Sequence, residues 1–278
     1  MRRARFAASF RLLRVAGVVA RSATRVADLA TGFASRAIDP GDRNALTAAL
    51  YDSVAGAGRA TLFAWEEPWL RSDLPPAPAR VLLGGAGRGR EASWLIDQGY
   101  TVVAFDPAPA NIAQHNLSCP RAPAVVLDYE SLARASQARR EGRLSAVSDE
   151  AATVLDRAPY DAALLGWCSV THVLEECDQD ALFQVLALLV PRGPLLASFF
   201  MSGASPALGR AAQLGAKLGG TLGPAADAYA HAASKVRCWP HLGFAYLFDG
   251  ERLAELAALS GRTLALYADA VYPHATFR

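Results

Sequence analysis

Short apolar segments alternate with helix-length segments along most of this chain, and this alternation constrains its fold more than any other feature. Strands are predicted at residues 80–83, 101–105, 124–127, 160–165 and 194–200. Helices are predicted between them, at residues 90–98, 111–117, 131–139 and 179–189. Such alternation is typical of a mostly parallel sheet that is covered by helices on both faces. We therefore predict a three-layer α/β fold.

The C-terminal part adds two strands of a different kind. A predicted helix at residues 250–259 is followed by apolar runs at residues 263–268 and 272–277. The connection between these runs is too short for a crossover helix, so they must pair antiparallel. Together with the five strands above, they predict a seven-stranded, mostly parallel sheet with an antiparallel C-terminal hairpin strand.

A proline-rich joint at residues 75–78 marks the predicted boundary between two parts of the chain. Residues 1–79 are expected to be helical and then irregular, with a turn at residues 39–42, and to form a lid or docking segment. Residues 80–278 are expected to form the α/β domain. Within that domain, residues 201–246 are rich in Gly and Ala, and we predict a substrate-side insertion without a clear strand there.

Charge and spacing exclude several classes of protein. The formal net charge is only +2, which argues against a nucleic-acid partner. The four cysteines and five histidines show no metal-type or redox-type spacing, so we assign no metal and expect a cytoplasmic protein. Arginines dominate the N-terminus, where the apolar run 15–20 is too short for a transmembrane span of ~20 residues. This segment is expected to pack on its own domain or a second copy, or to lie on a membrane surface.

A glycine-rich turn, Arg80-Val-Leu-Leu-Gly-Gly-Ala-Gly-Arg-Gly-Arg-Glu91, follows the first predicted strand. Glycines allow a sharp turn and let the backbone approach a ligand closely. Two registers are possible. Gly85, Gly87 and Gly89 form G-x-G-x-G, whereas Gly87, Gly89 and Ala92 form the G-x-G-x-x-A of dinucleotide-binding proteins. The first register is favoured because it begins where the apolar run ends.

Carboxylates end the next two predicted strands. Asp106 can accept hydrogen bonds from the ribose hydroxyls of either an adenosyl ligand or a dinucleotide. Asp128 is suitably placed for an adenine amino group. This second carboxylate and the closing antiparallel pair favour the adenosyl ligand, and an NAD(P)-dependent oxidoreductase is the alternative.

Residues 80–278 resemble a class I S-adenosylmethionine-dependent methyltransferase, a family with a Rossmann-like fold. The first motif of the family matches Gly85, Gly87 and Gly89, its ribose-binding acid matches Asp106, and its strand-four motif matches residues 160–169. The resemblance implies that S-adenosylmethionine (SAM) is the cofactor. The residues that it places at the donor are Gly85, Ala86, Gly87, Gly89, Asp106, Pro107, Asp128, Tyr129, Gly166 and Trp167, with Tyr51 from the lid.

The chain departs from the family at Leu83, where the family often has an acidic residue. That residue helps to order the loop and the amino-acid end of the donor. We expect Glu91, or groups from the N-terminal segment, to take its place.

Methyl transfer from a sulfonium is an in-line displacement, so the protein mainly positions the acceptor and excludes water. A base is needed only if the acceptor loses a proton during attack. His172, shortly after the fourth strand, is the first candidate, and His241 in the insertion is the second. We predict a small-molecule acceptor, with O-methylation slightly favoured over N-methylation because histidine bases are available.

The acceptor side is expected to come from the lid, the loop after strand four and the insertion. The candidate acceptor-side residues are Trp65, Ser169, His231, Trp239 and Tyr246. Packing within the lid is the alternative role for Tyr51 and Trp65. The remaining alternative for the whole chain is a SAM-binding but catalytically silent partner subunit.

Overall fold

The computed structural model describes residues 40–53, 61–201, 235–239, 243–268, 270 and 272–278, together with positions 26, 30 and 33. The helices within these ranges are α1 (Pro40–Ser53), α2 (Glu66–Asp73), α3 (Arg90–Asp97), α4 (Pro109–Ser118), α5 (Tyr129–Arg140), α6 (Asp149–Leu155), α7 (Glu176–Leu189) and α8 (Gly250–Leu259). The strands are β1 (Arg80–Gly84), β2 (Thr101–Asp106), β3 (Ala124–Val126), β4 (Ala162–Leu165), β5 (Leu195–Ser198), β6 (Val236–Trp239), β7 (Gly243–Tyr246), β8 (Leu264–Tyr267) and β9 (His274–Phe277). The segment 1–25 lies outside the described residues.

Seven strands form one sheet in the order β3-β2-β1-β4-β5-β9-β8. The first five are parallel, and β9 runs antiparallel to both of its neighbours, β5 and β8. The inner strands β4 and β5 are buried along their whole length, which explains their continuous apolar sequences. The predicted seven-stranded sheet with an antiparallel C-terminal hairpin strand is therefore confirmed.

Apolar side chains from the two faces of the sheet form two separate core clusters. Leu82 points to a cluster shared with α5, α7 and α8. Its neighbours Val81 and Leu83 point to the opposite cluster, which is shared with α2, α3 and α4. Side chains alternate across a strand, so a continuous apolar run supplies both cores. The result is the predicted three-layer arrangement.

The turn that was predicted at residues 39–42 is wrong, because α1 begins at Pro40. Proline suits the first position of a helix, since its fixed φ is already helical and its missing N–H would have no partner there. The Pro-Gly pair thus marks a helix start in this chain. Within the described ranges, no helix is long and apolar enough to cross a membrane.

The insertion contains strands that the sequence did not predict. β6 and β7 pair antiparallel as a separate two-stranded sheet, so the expectation of no clear strand at residues 201–246 is wrong for these segments. The glycine at the start of β7, Gly243, weakens the apolar pattern by which a strand is recognised in the sequence. A Cβ on Gly243 would lie 2.5 Å from Thr47 Oγ1 on α1, so the strand begins with glycine because α1 lies against it. Thr47 Oγ1 also accepts a 3.1 Å hydrogen bond from Phe244 N.

Candidate active site

The glycine-rich loop between β1 and α3 has the backbone that its sequence predicts. Gly85, Gly87 and Gly89 have φ values of 64°, 52° and 93°, in the left-handed region where a side chain is strained. A Cβ on Gly85 would lie 2.3 Å from Ser169 Cβ, so the loop presses against the segment after β4 there. No described atom lies within 4 Å of a Cβ placed on Gly87, which leaves the loop open at that residue.

Asp106, the last residue of β2, reaches across to this loop. Its carboxylate accepts hydrogen bonds from Gly87 N at 2.8 Å, Ala108 N at 2.9 Å and Asn111 Nδ2 at 3.3 Å. Burial raises the pKa of Asp106, and the bonds from Ala108 and Gly87 oppose that rise. A carboxylate has about four acceptor directions, so these three donors leave room for a ribose hydroxyl. Pro107 follows as an exposed residue.

Asp128 and Tyr129, after β3, have structural partners. Asp128 caps α5, with Oδ1 accepting from Ser131 N at 2.6 Å and Oδ2 from Ser131 Oγ at 3.0 Å. Tyr129 is buried, and its hydroxyl lies 2.6 Å from Ser169 Oγ. Tyr129 also lies directly beneath Gly84, where an added Cβ would be 2.6 Å from its ring. Tyr129 therefore packs against the loop at Gly84, whereas the described contacts of Asp128 are with the start of α5.

The end of β4 touches the loop through backbone atoms. Gly166 N donates to Gly84 O at 2.7 Å, and a Cβ on Gly166 would lie 2.4 Å from Gly85 O. Next along the chain, Trp167 N donates to Glu91 Oε1 at 3.3 Å. Cys168 is buried, and burial raises its pKa to about 12, so its thiol stays protonated at neutral pH. A buried, protonated thiol is a poor nucleophile, so Cys168 is not a candidate for nucleophilic catalysis.

A buried charged cluster, formed by Glu66, Arg90 and Glu91, adjoins the end of the loop, where α3 begins. Both guanidinium Nη atoms of Arg90 donate to Glu66 at 2.8 Å, and Nη2 also pairs with Glu91 Oε1. Glu66 accepts a further bond from Phe63 N at 2.7 Å. Sequence reasoning named Glu91 but missed its two partners, since Glu66 lies in a different helix from Arg90. The signal available was an Arg-Glu pair directly after the last loop glycine.

Aromatic rings from distant segments surround this charged cluster. Phe63 lies 5.4 Å from both Trp167 and Tyr272, measured between ring centroids. Trp65 stacks on His274 at 4.7 Å. The indole Nε1–H groups of Trp65 and Trp167 are buried, and no described residue accepts a hydrogen bond from either of them.

Tyr51, on α1, meets His172, which lies in the segment that follows β4. The hydroxyl of Tyr51, on α1, lies 3.1 Å from His172 Nε2, and His172 Nδ1 lies 2.7 Å from the carbonyl oxygen of Phe244 on β7. Because a carbonyl only accepts, Nδ1 must carry the proton, and Nε2 of the neutral ring accepts from Tyr51. Burial lowers the pKa of His172, and the bond to Phe244 opposes this. Burial raises the pKa of Tyr51 to about 12, and Cys168 and Asp106 add to that rise.

The remaining predicted acceptor-side residues are not all brought together. Tyr246 is fully buried and its hydroxyl donates to Glu176, so its described contacts are those of a packed core residue. His231 and His241 lie outside the described residues, and so does the side chain of Trp239. Among the described side chains, no group of three His, Cys, Asp or Glu could hold a metal ion.

No family model matches the chain, and no curated protein matches it. Many solved structures are similar to it. A 1,6-didemethyltoxoflavin-N1-methyltransferase from Burkholderia thailandensis is 18% identical with a TM-score of 0.52, covering 87% of this chain and 90% of its own. Magnesium protoporphyrin IX methyltransferase from Synechocystis is 15% identical with a TM-score of 0.51, covering 85% and 98%. A sugar N-methyltransferase from a Streptoalloteichus species is 12% identical with a TM-score of 0.50, covering 77% and 84%. At sequence identities this low, the similarity shows only that the folds are alike.

Proposed function

We propose that this chain, which has the fold of class I SAM-dependent methyltransferases, binds SAM at the glycine-rich loop and methylates a small molecule. The observation that carries the proposal is the bond between Asp106 and Gly87 N, because it places a carboxylate beside a loop glycine that no described atom crowds. Ligands of such sheets bind at the carboxyl ends of the strands. Bound SAM would supply an electrophilic methyl group on its sulfonium.

The sheet favours this ligand over a dinucleotide. Dinucleotide-binding folds of the classic kind have six parallel strands in the order 3-2-1-4-5-6. Here the strand beside β5 is β9, which is antiparallel. The three structural relatives described above are all methyltransferases, although their acceptors differ widely.

We favour an oxygen acceptor because of the pair formed by Tyr51 and His172. In the neutral form described above, Nε2 of His172 accepts from the Tyr51 hydroxyl, so the pair can remove a proton from a hydroxyl acceptor by a relay. As the acceptor oxygen attacked the methyl group that SAM would supply, Tyr51 would pass its own proton to Nε2 and take the acceptor's proton in exchange. We further propose, from the sequence alone, that the protein is cytoplasmic. We also propose that its Arg-rich N-terminus contacts a second copy of the chain or a membrane surface.

Calorimetric titration with S-adenosylhomocysteine (SAH) tests the proposal. The wild-type protein should bind SAH, and Asp106→Asn should weaken binding at least about tenfold, because a charge-assisted hydrogen bond is worth about 1.5–3 kcal/mol. Asp97→Asn is the matched control, since Asp97 is exposed and pairs with the exposed Arg121. Absence of heat with SAH, combined with thermal stabilisation by NADP, would instead favour the oxidoreductase. Turnover by the isolated chain would exclude a silent partner subunit.

A further inference from the structure

The cluster of Glu66, Arg90 and Glu91 carries an unbalanced charge in a nearly buried place. The exposed fractions of these side chains are 4%, 10% and 7%. Two carboxylates face one guanidinium, so the formal charge of the cluster is −1. Burial raises the pKa of Glu66, and Arg90 only partly offsets that rise. A buried charge without a full complement is costly, so the cluster is stabilised either by a proton on Glu66, which its raised pKa favours, or by a cationic partner.

Polar atoms in and beside the cluster lack hydrogen-bond partners within the described part of the chain. Oε1 of Glu91 accepts from both Arg90 and Trp167 N, whereas Oε2 accepts no hydrogen bond from any residue in the described part of the chain. The buried indole N–H groups of Trp65 and Trp167 have no acceptor there either. The same small region therefore offers an acceptor to a cation and donors to an anion.

The position of the cluster relates it to the proposed donor site. Glu91 lies in the first turn of α3, directly after the loop, and Trp167 directly follows Gly166 at the end of β4. Asp106 lies at the end of β2, which is on the other side of β1 from β4. A ligand that reaches from Asp106 to Glu91 must cross the glycine loop.

We propose that Glu91 and Trp167 bind the amino-acid end of the donor, with Glu91 Oε2 accepting from its α-ammonium and the Trp167 indole N–H donating to its α-carboxylate. Arg90 and Glu66 are positioning residues that hold Glu91 in place. This assignment rests on the proposed function. It explains how the site tolerates Leu83, which is fully buried and apolar where an acid is expected.

Two ligands separate this assignment from a general loss of binding. SAH has the amino-acid end, whereas 5′-methylthioadenosine has the same adenosyl group without it. Glu91→Gln keeps the shape of the side chain and its ability to accept from Trp167 N. This variant should weaken SAH about 10- to 100-fold, the range for a lost hydrogen bond to a charged group, and leave methylthioadenosine unchanged.

Controls and a second variant complete the experiment. Glu67→Gln is the matched control, because Glu67 lies on α2 but is half-exposed and pairs with Arg71. Trp167→Phe, which removes the indole N–H, should also weaken SAH selectively. Equal losses for both ligands, or unchanged SAH binding in both variants, would overturn the assignment while the proposed function stands. Failure of the wild type to bind SAH at all would instead overturn the proposed function.

Discussion

Gly85 lies at the tightest contact between the loop and the segment after β4. Gly85→Ala should destabilise the protein by at least about 2 kcal/mol, because left-handed strain costs about 1–2 kcal/mol and the new Cβ overlaps Ser169. Gly142→Ala is the control, since Gly142 has a φ of 74° but no described atom within 4 Å of an added Cβ. Urea unfolding of both variants measures the difference. Equal losses would show that overlap with Ser169 contributes nothing.

The protonation state of His172 gives a prediction about pH. Its pKa lies below the ordinary value of about 6.5, so the neutral ring that acts as a base persists as the pH falls through 6.5. The rate of methyl transfer into ether products should therefore decline at a lower pH than expected for a histidine with the ordinary pKa of about 6.5. Labelled SAM and a small-molecule extract as acceptor source allow the measurement. His172→Asn should lose this activity but retain SAH binding, and full activity in that variant would remove the base role.

At the scale of elements, α1 depends on the absence of a side chain on Gly243. Gly243→Ala would bring a Cβ to 3.0 Å from the Thr47 Cα, and backbone cannot yield as a flexible side chain does. We expect α1 to detach from β7, so that amide hydrogen exchange of residues 40–53 rises while the seven-stranded sheet stays protected. Gly250→Ala is the control, because no described atom lies within 4 Å of a Cβ placed there. Unchanged exchange in α1 would contradict this account of its packing.

Sequence patterns predicted the helices and strands that alternate regularly along the chain, because each of them packs against elements that follow it at similar intervals. Strands at the positions of β1, β2 and β4 could be predicted because long apolar runs bury both faces of a sheet. α1 and the β6–β7 sheet could not, because each is stabilised by the other across a long stretch of chain, as in the hydrogen bond between Thr47 and Phe244, which are 197 residues apart.

At the scale of the whole molecule, Asp73 joins α2 to the last strand of the sheet. It accepts hydrogen bonds from Thr276 and from Arg278 Nη2, the latter at 3.0 Å. Burial opposes the effect, but the bonds from Ser72, Thr276 and Arg278 lower the pKa of Asp73 below its unfolded value. Its contribution to stability is therefore present above about pH 4 and lost as the pH falls through the lowered pKa.

Asp73→Asn tests this linkage. The variant should be less stable than the wild type at pH 7, and the difference should shrink as the pH falls below 4. Thermal or urea unfolding at pH 3 and pH 7 gives the comparison, with Asp97→Asn as an exposed control. A difference that is the same at both pH values would show that the ionised form of Asp73 is not what stabilises α2 on β9.

The candidate site, like the fold, has features that the sequence could predict and features that it could not. The turn at the loop glycines and the place of Asp106 at the end of β2 could be predicted because both follow directly from the ends of apolar strands. The partners that define the roles of the other groups could not. His172 becomes an acceptor toward Tyr51 only because the carbonyl of Phe244, 72 residues away, holds the proton on Nδ1. Such pairings depend on tertiary contacts that no local pattern encodes.

The shared guanidinium of Arg90 has an evolutionary consequence. Removing it alone would strand two carboxylates in a nearly dry environment, whereas removing one carboxylate would leave a balanced ion pair. A change at position 90 should therefore have been accompanied by changes at positions 66 and 91 during divergence. In distant homologues, an apolar residue at position 90 should accompany neutral residues at both position 66 and position 91.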